Sequence, residues 1–408
     1  MPADVKFFSK GELREFLAKN LVLFEKVNQL NKQDFFGSSP PTIFVGSKLK
    51  YPAVNVGILS PPEETADAWV YDAQTYWPGT DFTIRDIVAL RSSLINSRFE
   101  TRVNSVRTSD KFTSLAQEIG IGKNPVDVEI QLAKKPIMKT NFDNIRLPMG
   151  PAVSLKYAKV VDNVKVDRKV EKIISDTDFK AVEGMQWLHG KGIDEHTISQ
   201  LLTLGVLGVK KSRKLVPTRW GITATDDSLG KQFISEIKQY QSIDEYRLYQ
   251  GNYFGNYYYI LMFPRVWSYE LFEGYLPKSA WNQEAVIKWA TDDEDYYGRT
   301  SYAENCVGGY YAARLPILQH LKNVKRQASI LVIRFETPEY YAALGVWVVR
   351  SSARKAMDNL PLNFESREAL LSYVQKIVYQ KFKYNIDMIF KQSKLLEKIK
   401  TQRTLLDF

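Results

Sequence analysis

The sequence predicts an α+β protein: two mixed α/β domains, a long C-terminal helix and a flexible C-terminal peptide. Three observations lead there. Val126, Val128, Ile130 and Leu132 alternate with polar neighbours, the period of a half-buried strand. From Leu370 through Val374, Val378, Phe382, Ile386 and Ile389 to Leu395, apolar residues keep a helical period. The 408 residues also exceed the ~250–300 at which one hydrophobic core stops growing, so at least two domains are expected.

In chain order, residues 1–36 read as one amphipathic helix, with Leu13, Phe16, Leu17, Leu21, Phe24 and Val27 on a single stripe. Gly37 to Pro41 punctuate it. A first domain then spans 37–290. TIFVG, PAVNVGIL and AWVYDA (42–46, 52–59 and 68–73) read as strands, 84–94 as a helix and 126–134 as a strand. SDKFTSLAQEI forms a helix closed by GIGK (120–123), which therefore reads as a C-cap rather than a phosphate loop. Within this domain, 177–224 shows two helical stretches, a glycine-containing turn and a basic ribbon, the order of a winged helix. A helix at about 228–241 and a Gly/Tyr-rich strand pair follow.

The acidic run TDDEDYYGR (291–299) reads as the domain boundary. The second domain, 291–362, offers a helix at 310–322 and the strands SILVIRF and LGVWVVR. Residues 363–400 read as the terminal helix, capped by Asn363 or Ser366 with Glu368 in its first turn. If unbroken it would span roughly 45–50 Å at 1.5 Å per residue, holding the tail, 401–408, away from the body.

Composition excludes several functions. One cysteine (Cys306) and three histidines (His189, His196, His320) assemble neither a disulfide framework nor a Cys/His zinc site, and no Ser-His-Asp or Cys-His relay can be nominated. The first twenty residues carry too many charges for a secretory signal, and the longest apolar run, YYYILMF, is too short to span a bilayer, so a cytoplasmic protein without a membrane role is expected. The net charge of +10 makes nucleic acid a plausible partner without requiring it.

Gln402, Leu405 and Phe408 have the spacing of the peptide that binds DNA sliding clamps (PCNA). In such peptides a short turn gathers the aliphatic and aromatic side chains on one side, where they enter an apolar pocket beside the glutamine. The alternative is that Leu405, Leu406 and Phe408 fold back on the protein's own surface. Lys210, Lys211, Arg213, Lys214 and Arg219 form a basic segment with no acid among it, suited to DNA phosphates, after a helix near 194–204 that would lie in a major groove. The alternative there is a packed helical pair with a solvated, charged hairpin.

Asp226 and Asp227, with Arg219 and Arg314, are the catalytic candidates of a metal-dependent nuclease or other phosphoester-processing enzyme, which would need Mg2+. As an alternative, either aspartate caps the helix after it. Gly308-Gly309 offers backbone N–H groups to a phosphate at a helix start, with Arg314 one turn in. Without the nuclease, no cofactor or metal is expected, and whether the chain is an enzyme stays open.

Several stretches together resemble one family: PPTIFVG, YPAVNVG, LRSSLINS, DRKVEKIISDTD, LVPTRWGITATDD, GRTSYAENCVGGYYAARL and LGVWVVR. They are similar to the archaeal Nre proteins, built from an Nre N-terminal and an Nre C-terminal domain, over roughly residues 40 to 355. The resemblance implies a DNA-repair factor recruited by the sliding clamp, and Gln402, Leu405 and Phe408 carry the corresponding tail. It supplies no catalytic mechanism. Many members begin with a cysteine cluster that looks zinc-binding, and residues 1–36 here hold no cysteine.

Overall fold

The computed structural model describes residues 33–108, 110–137 and 148–401. The helix expected within 1–36 therefore lies, up to residue 32, outside the described residues. The chain divides into two compact units after Leu229, each with a mixed sheet and helices of its own, which bears out the α+β class.

In the first unit β1 (Asp34–Ser39), β2 (Ile43–Val45), β3 (Ala53–Ser60), β4 (Ile95–Arg102), β5 (Val126–Leu132) and β6 (Ala152–Val160) form a six-stranded sheet in the order β1-β5-β6-β4-β3-β2. Neighbours are antiparallel except β4 and β6, which run parallel. In β5 the four apolar residues are buried and the polar ones between them half-buried, as their alternation predicts. Gly37, expected to end a helix, instead lies inside β1. A Cβ there would stand against the Pro61 carbonyl oxygen, so the glycine serves a close approach rather than a turn.

Helices α1 (Ile84–Ser92) and α2 (Lys111–Gly120) occupy the expected positions, α1 starting on a capping box between Thr83 and Asp86. The strand expected at AWVYDA is instead the 3₁₀ helix Ala66–Asp72. Thr65 accepts a hydrogen bond from the Asp67 N–H at its start, and Ala68, Val70, Tyr71 and Asp72 are all buried. Val70 through Ala73 are buried in succession, so this stretch lacks the two-sided pattern that sequence reading needs to tell strand from helix.

Four helices close the unit: α3 (Arg168–Ser175), α4 (Ala181–Gly190), α5 (Glu195–Thr203) and α6 (Thr218–Ile237), the last running into the second unit. The winged-helix expectation fails in two places. Residues 205–217 hold only the 3₁₀ turn Lys210–Ser212 and no strand, so the ribbon is absent. The helix placed near 228 begins at Thr218, because the Pro217 carbonyl accepts the N–H groups of Trp220 (2.8 Å) and Gly221 (2.9 Å). A proline's fixed φ suits that first turn.

In the second unit β7 (Tyr246–Tyr253) and β8 (Asn256–Phe263) form the expected hairpin across Phe254 and Gly255, both at positive φ (49° and 72°). With β9 (Ser268–Tyr275), β10 (Lys288–Glu294), β11 (Ser329–Glu336) and β12 (Leu362–Phe364) they make a six-stranded sheet, order β10-β9-β11-β8-β7-β12, in which only β9 and β11 are parallel. The acidic run read as a solvated boundary supplies edge strand β10, whose Asp292 and Glu294 are buried. Their carboxylates have partners that short-range sequence patterns do not reveal.

Helix α7 (Val307–Asn323) covers the span expected at 310–322. The strand expected at LGVWVVR is helix α8 (Val346–Asp358), which starts after Gly345 (φ 97°) and packs on β7, β8 and α7. Trp347 and Val348 through Ala353 are buried, so tertiary burial overrides the strand preference of β-branched residues.

The terminal helical region is three helices rather than one: α9 (Arg367–Phe382), α10 (Asp387–Gln392) and α11 (Lys394–Thr401). Ser366 caps α9 as expected, and Lys383 in a left-handed conformation (φ 54°) stops it. Leu370, Val374, Val378, Ile389, Leu395 and Ile399 pack on the sheet face carrying Leu261, Phe272, Leu331 and Phe335. The buried Glu270 carboxylate of β9 accepts hydrogen bonds from Ser393 Oγ and from the N–H groups of Lys394 and Leu395, which anchors the start of α11. The chain is thus docked on the sheet up to Thr401, not held at the end of a projecting rod.

Candidate nucleic-acid interface

Of the five basic residues proposed for DNA, Lys210, Lys211, Lys214 and Arg219 are exposed, and half-exposed Trp220 follows them at the start of α6. Arg213 differs. Its Nε donates to the Gly208 carbonyl (2.8 Å) and its Nη2 to the carbonyls of Ile174 and Asp176 (2.9 Å each). That guanidinium closes the C-terminal end of α3 and fixes the loop that displays its lysine neighbours, so its own role is structural.

The helix expected to enter a major groove, α5, exposes none of its residues: Glu195, Ile198, Ser199, Leu201 and Thr203 are buried and the rest half-buried. Base reading needs side chains that reach out of the fold. The segment therefore offers phosphate-type cations from a loop and a helix start, without a groove-reading helix.

Asp226 and Asp227 lie in the middle of α6, not at its N-cap. Successive positions on an α-helix point about 100° apart, so the two carboxylates do not converge, and Asp226 is buried whereas Asp227 is half-buried. Among the described residues no group of three or more His, Cys, Asp or Glu side chains is arranged to hold a metal ion.

Arg314, on α7, belongs to the second unit. Its Nη1 lies 2.5 Å from Glu294 Oε2, both side chains being buried, and its guanidinium stacks over Tyr310 and Tyr311. The expected phosphate cradle at Gly308-Gly309 is already filled by protein carboxylates. Asp292 Oδ2 accepts the N–H groups of Asn305 (3.0 Å) and Cys306 (2.7 Å) at the start of α7. A Cβ on Gly309 would stand 2.6 Å from Glu273 Oε1. Beside these acids, burial pushes the Cys306 thiol far up, so it is no nucleophile at neutral pH.

The chain matches two family models, "Archaeal Nre, N-terminal" over residues 15–282 and "Archaeal Nre, C-terminal" over residues 294–408. It belongs to the archaeal Nre family. It is 38% identical over 328 residues to "DNA repair protein NreA" of Haloferax volcanii, covering 79% of this chain and 78% of the relative. It is equally 38% identical over 346 residues to "DNA repair protein NreB" of Archaeoglobus fulgidus, covering 85% of each chain. No solved structure matches. The two family models meet between residues 282 and 294, whereas the compact units of this Nre chain divide after Leu229, so α6 and the β7–β9 strands fall in the N-terminal model's span.

One buried group in the Nre chain escapes sequence reasoning. Asp72 accepts from Arg91 Nη1 (2.7 Å), Thr42 Oγ1 (2.7 Å) and Gln74 Nε2 (3.1 Å), and His196 Nε2 lies 3.3 Å from its Oδ2. Burial alone would raise the Asp72 carboxyl, but Arg91 and His196 outweigh it and hold the group well below the usual carboxylate range. Burial alone would lower His196, and Asp72 reverses that to raise it. Thr42 and Arg91 sit in two of the stretches that carry the family resemblance, PPTIFVG and LRSSLINS, but their partners Asp72 and His196 are too distant in sequence for spacing to connect them. The tail residues Gln402, Leu405 and Phe408 lie outside the described residues.

Proposed function

We propose that this protein is a DNA-repair factor that acts in the cytoplasm, is brought to DNA by the sliding clamp (PCNA) through Gln402, Leu405 and Phe408, and contacts DNA through basic surface. The observation that carries the reading is similarity to relatives named DNA repair proteins across 78–85% of their length. Exposed Lys210, Lys211, Lys214 and Arg219 support DNA contact by phosphate neutralisation. The position of the tail supports the clamp reading, since Gln402 follows directly in sequence on Thr401, the last residue of α11, and chain ends are where partner peptides are most readily reached. Among the described residues no helix is long and apolar enough to cross a membrane. The divergent Asp226 and Asp227 offer a two-metal nuclease no shared site, which favours recruitment and binding over phosphoester chemistry.

Two measurements test the reading. In a clamp-binding assay Phe408→Ala weakens binding about 30-fold or more, as loss of an aromatic anchor does, and a chain stopped at Lys400 does not bind. Unchanged affinity in both removes the clamp. In duplex binding, Lys210→Glu, Lys211→Glu and Lys214→Glu together reduce the slope of log K against log salt by about 0.9 for each phosphate that is no longer neutralised. A slope equal to the parent's removes this segment from the DNA surface.

A further inference from the structure

We propose that a cavity in the second unit, formed by the C-terminal half of α6, the turn after β10 and α7, receives an unpaired nucleotide of single-stranded DNA. The proposal deepens the DNA-repair reading but rests on a different surface from the 210–219 segment. The cavity has a volume of about 470 Å³ and is lined by Lys231, Lys238, Arg299 and Arg314, with Glu294 as the one carboxylate among the described lining residues. Arg314 and Arg299 are paired with Glu294 and Asp292, and Lys231 and Lys238 add positive charge beyond those two pairs, which favours an anionic ligand in a space in the range of small-ligand sites.

At the rim stand two consecutive tyrosines, Tyr296 and Tyr297, 37% and 88% exposed. Two large rings placed in solvent beside a cationic hollow are unfavourable for solubility and useful for stacking, since every base presents a π-face. Their edge-to-face contact, with ring centroids 5.7 Å apart, leaves the faces of Tyr297 open. Lys238 Nζ lies 4.5 Å from the centre of the Tyr296 ring, setting a cation next to the stacking surface. A phosphate at the lysines and a base on Tyr297 would use both.

The display is held in advance. Asp295 Oδ1 accepts the Tyr297 N–H (2.9 Å), and the Asp295 carbonyl accepts the Gly298 N–H (3.0 Å). Arg299 binds the carbonyls of Asp293, Ser301 and Tyr302 and pairs with Asp292 at 3.2 Å. A turn fixed by its own arginine loses little entropy when a ligand arrives. In the floor, Glu294 gives Oε2 to Arg314, and both side chains are buried, so this pair fixes the base of the hollow. Duplex DNA keeps its bases stacked inward and offers Tyr297 no face, so the chemistry selects unpaired nucleotides.

The test is fluorescence anisotropy of the full chain with a labelled ten-nucleotide single strand, a duplex of the same length, and free dAMP as competitor. Tyr297→Ala is expected to weaken single-strand binding about tenfold or more while leaving duplex binding unchanged, and Tyr297→Phe to bind as the parent does. Lys231→Glu should weaken the same complex and flatten its salt dependence. Because Tyr297 is exposed, its variants are expected to fold as the parent does, and a thermal melt checks Lys231→Glu. Parent-level single-strand binding by Tyr297→Ala overturns the cavity and leaves the DNA reading standing. No oligonucleotide binding by the parent overturns both, and dAMP binding as tight as the single strand replaces the DNA strand by a free nucleotide.

Discussion

Asp72→Ala is expected to destabilise the first unit by about 3–5 kcal/mol, the cost of removing one partner from a buried ion pair. Arg91 would be left buried without its carboxylate, and Thr42 and His196 would lose their acceptor. In a thermal melt that corresponds to a fall of roughly 6–20 °C for a unit of this size. A melt unchanged by the substitution would show that Arg91 finds adequate alternatives in the Tyr71 and Pro148 carbonyls, which it already approaches at 3.4 Å. The pH dependence has a definite sign. Asp72 is depressed, so its contribution is present above its unfolded value near 4 and is lost as pH falls further. His196 is raised, so its contribution is complete below about pH 6.5 and is lost as pH rises through its folded value. The group therefore stabilises most between about pH 4 and 6.5, and His196→Gln should remove the decline on the alkaline side.

Arg334→Ala is expected to cost the second unit a similar 3–5 kcal/mol. Arg334 is buried in β11, with Nη1 2.5 Å from Glu273 Oε1, Nη2 3.1 Å from Glu336 Oε2, and further bonds to Asn256 Oδ1. Deleting it leaves two carboxylates in the interior. Burial pushes Glu336 up to about 7, with Glu273 adding to the effect and Arg334 opposing it. A raised acid holds its proton in the folded chain up to that pH while the unfolded chain releases it near 4.5, so stability falls as pH rises between the two values. The Arg334→Ala deficit should accordingly be larger at pH 8 than at pH 6, because protonation of Glu336 can relieve the lower-pH state. Equal unfolding free energies for parent and variant at pH 8 would contradict this account.

Legibility followed the range of the interactions. The alternation in β5, the Phe254–Gly255 hairpin and the Ser366 cap depend on neighbours within a few residues, and each lies where the sequence places it. In the two misread strands, Val70 through Ala73 and Trp347 through Ala353 are buried on successive residues, so neither a period of two nor one of 3.6 stands out there. The basic segment is legible as charge but not as geometry. Arg213 looks like its lysine neighbours until the carbonyls of Ile174 and Asp176 come into view, thirty-nine and thirty-seven residues away. Asp226 and Asp227 look like a cap because proline-initiated helix starts and aspartate caps compete for the same stretch, and here Pro217 prevails.

From residue order came the α+β class, the family resemblance, the basic character and the clamp-type spacing of Gln402, Leu405 and Phe408, all of which rest on local pattern. The pairing of Asp72 with Arg91 and His196, the filling of the Gly308-Gly309 helix start by Asp292 and Glu273, and the meeting of Lys231, Tyr297 and Arg314 around one cavity came from the folded chain. The reason is that charge and hydrogen bonding act over a few ångströms of space, and a sheet brings together residues that the sequence keeps tens of positions apart.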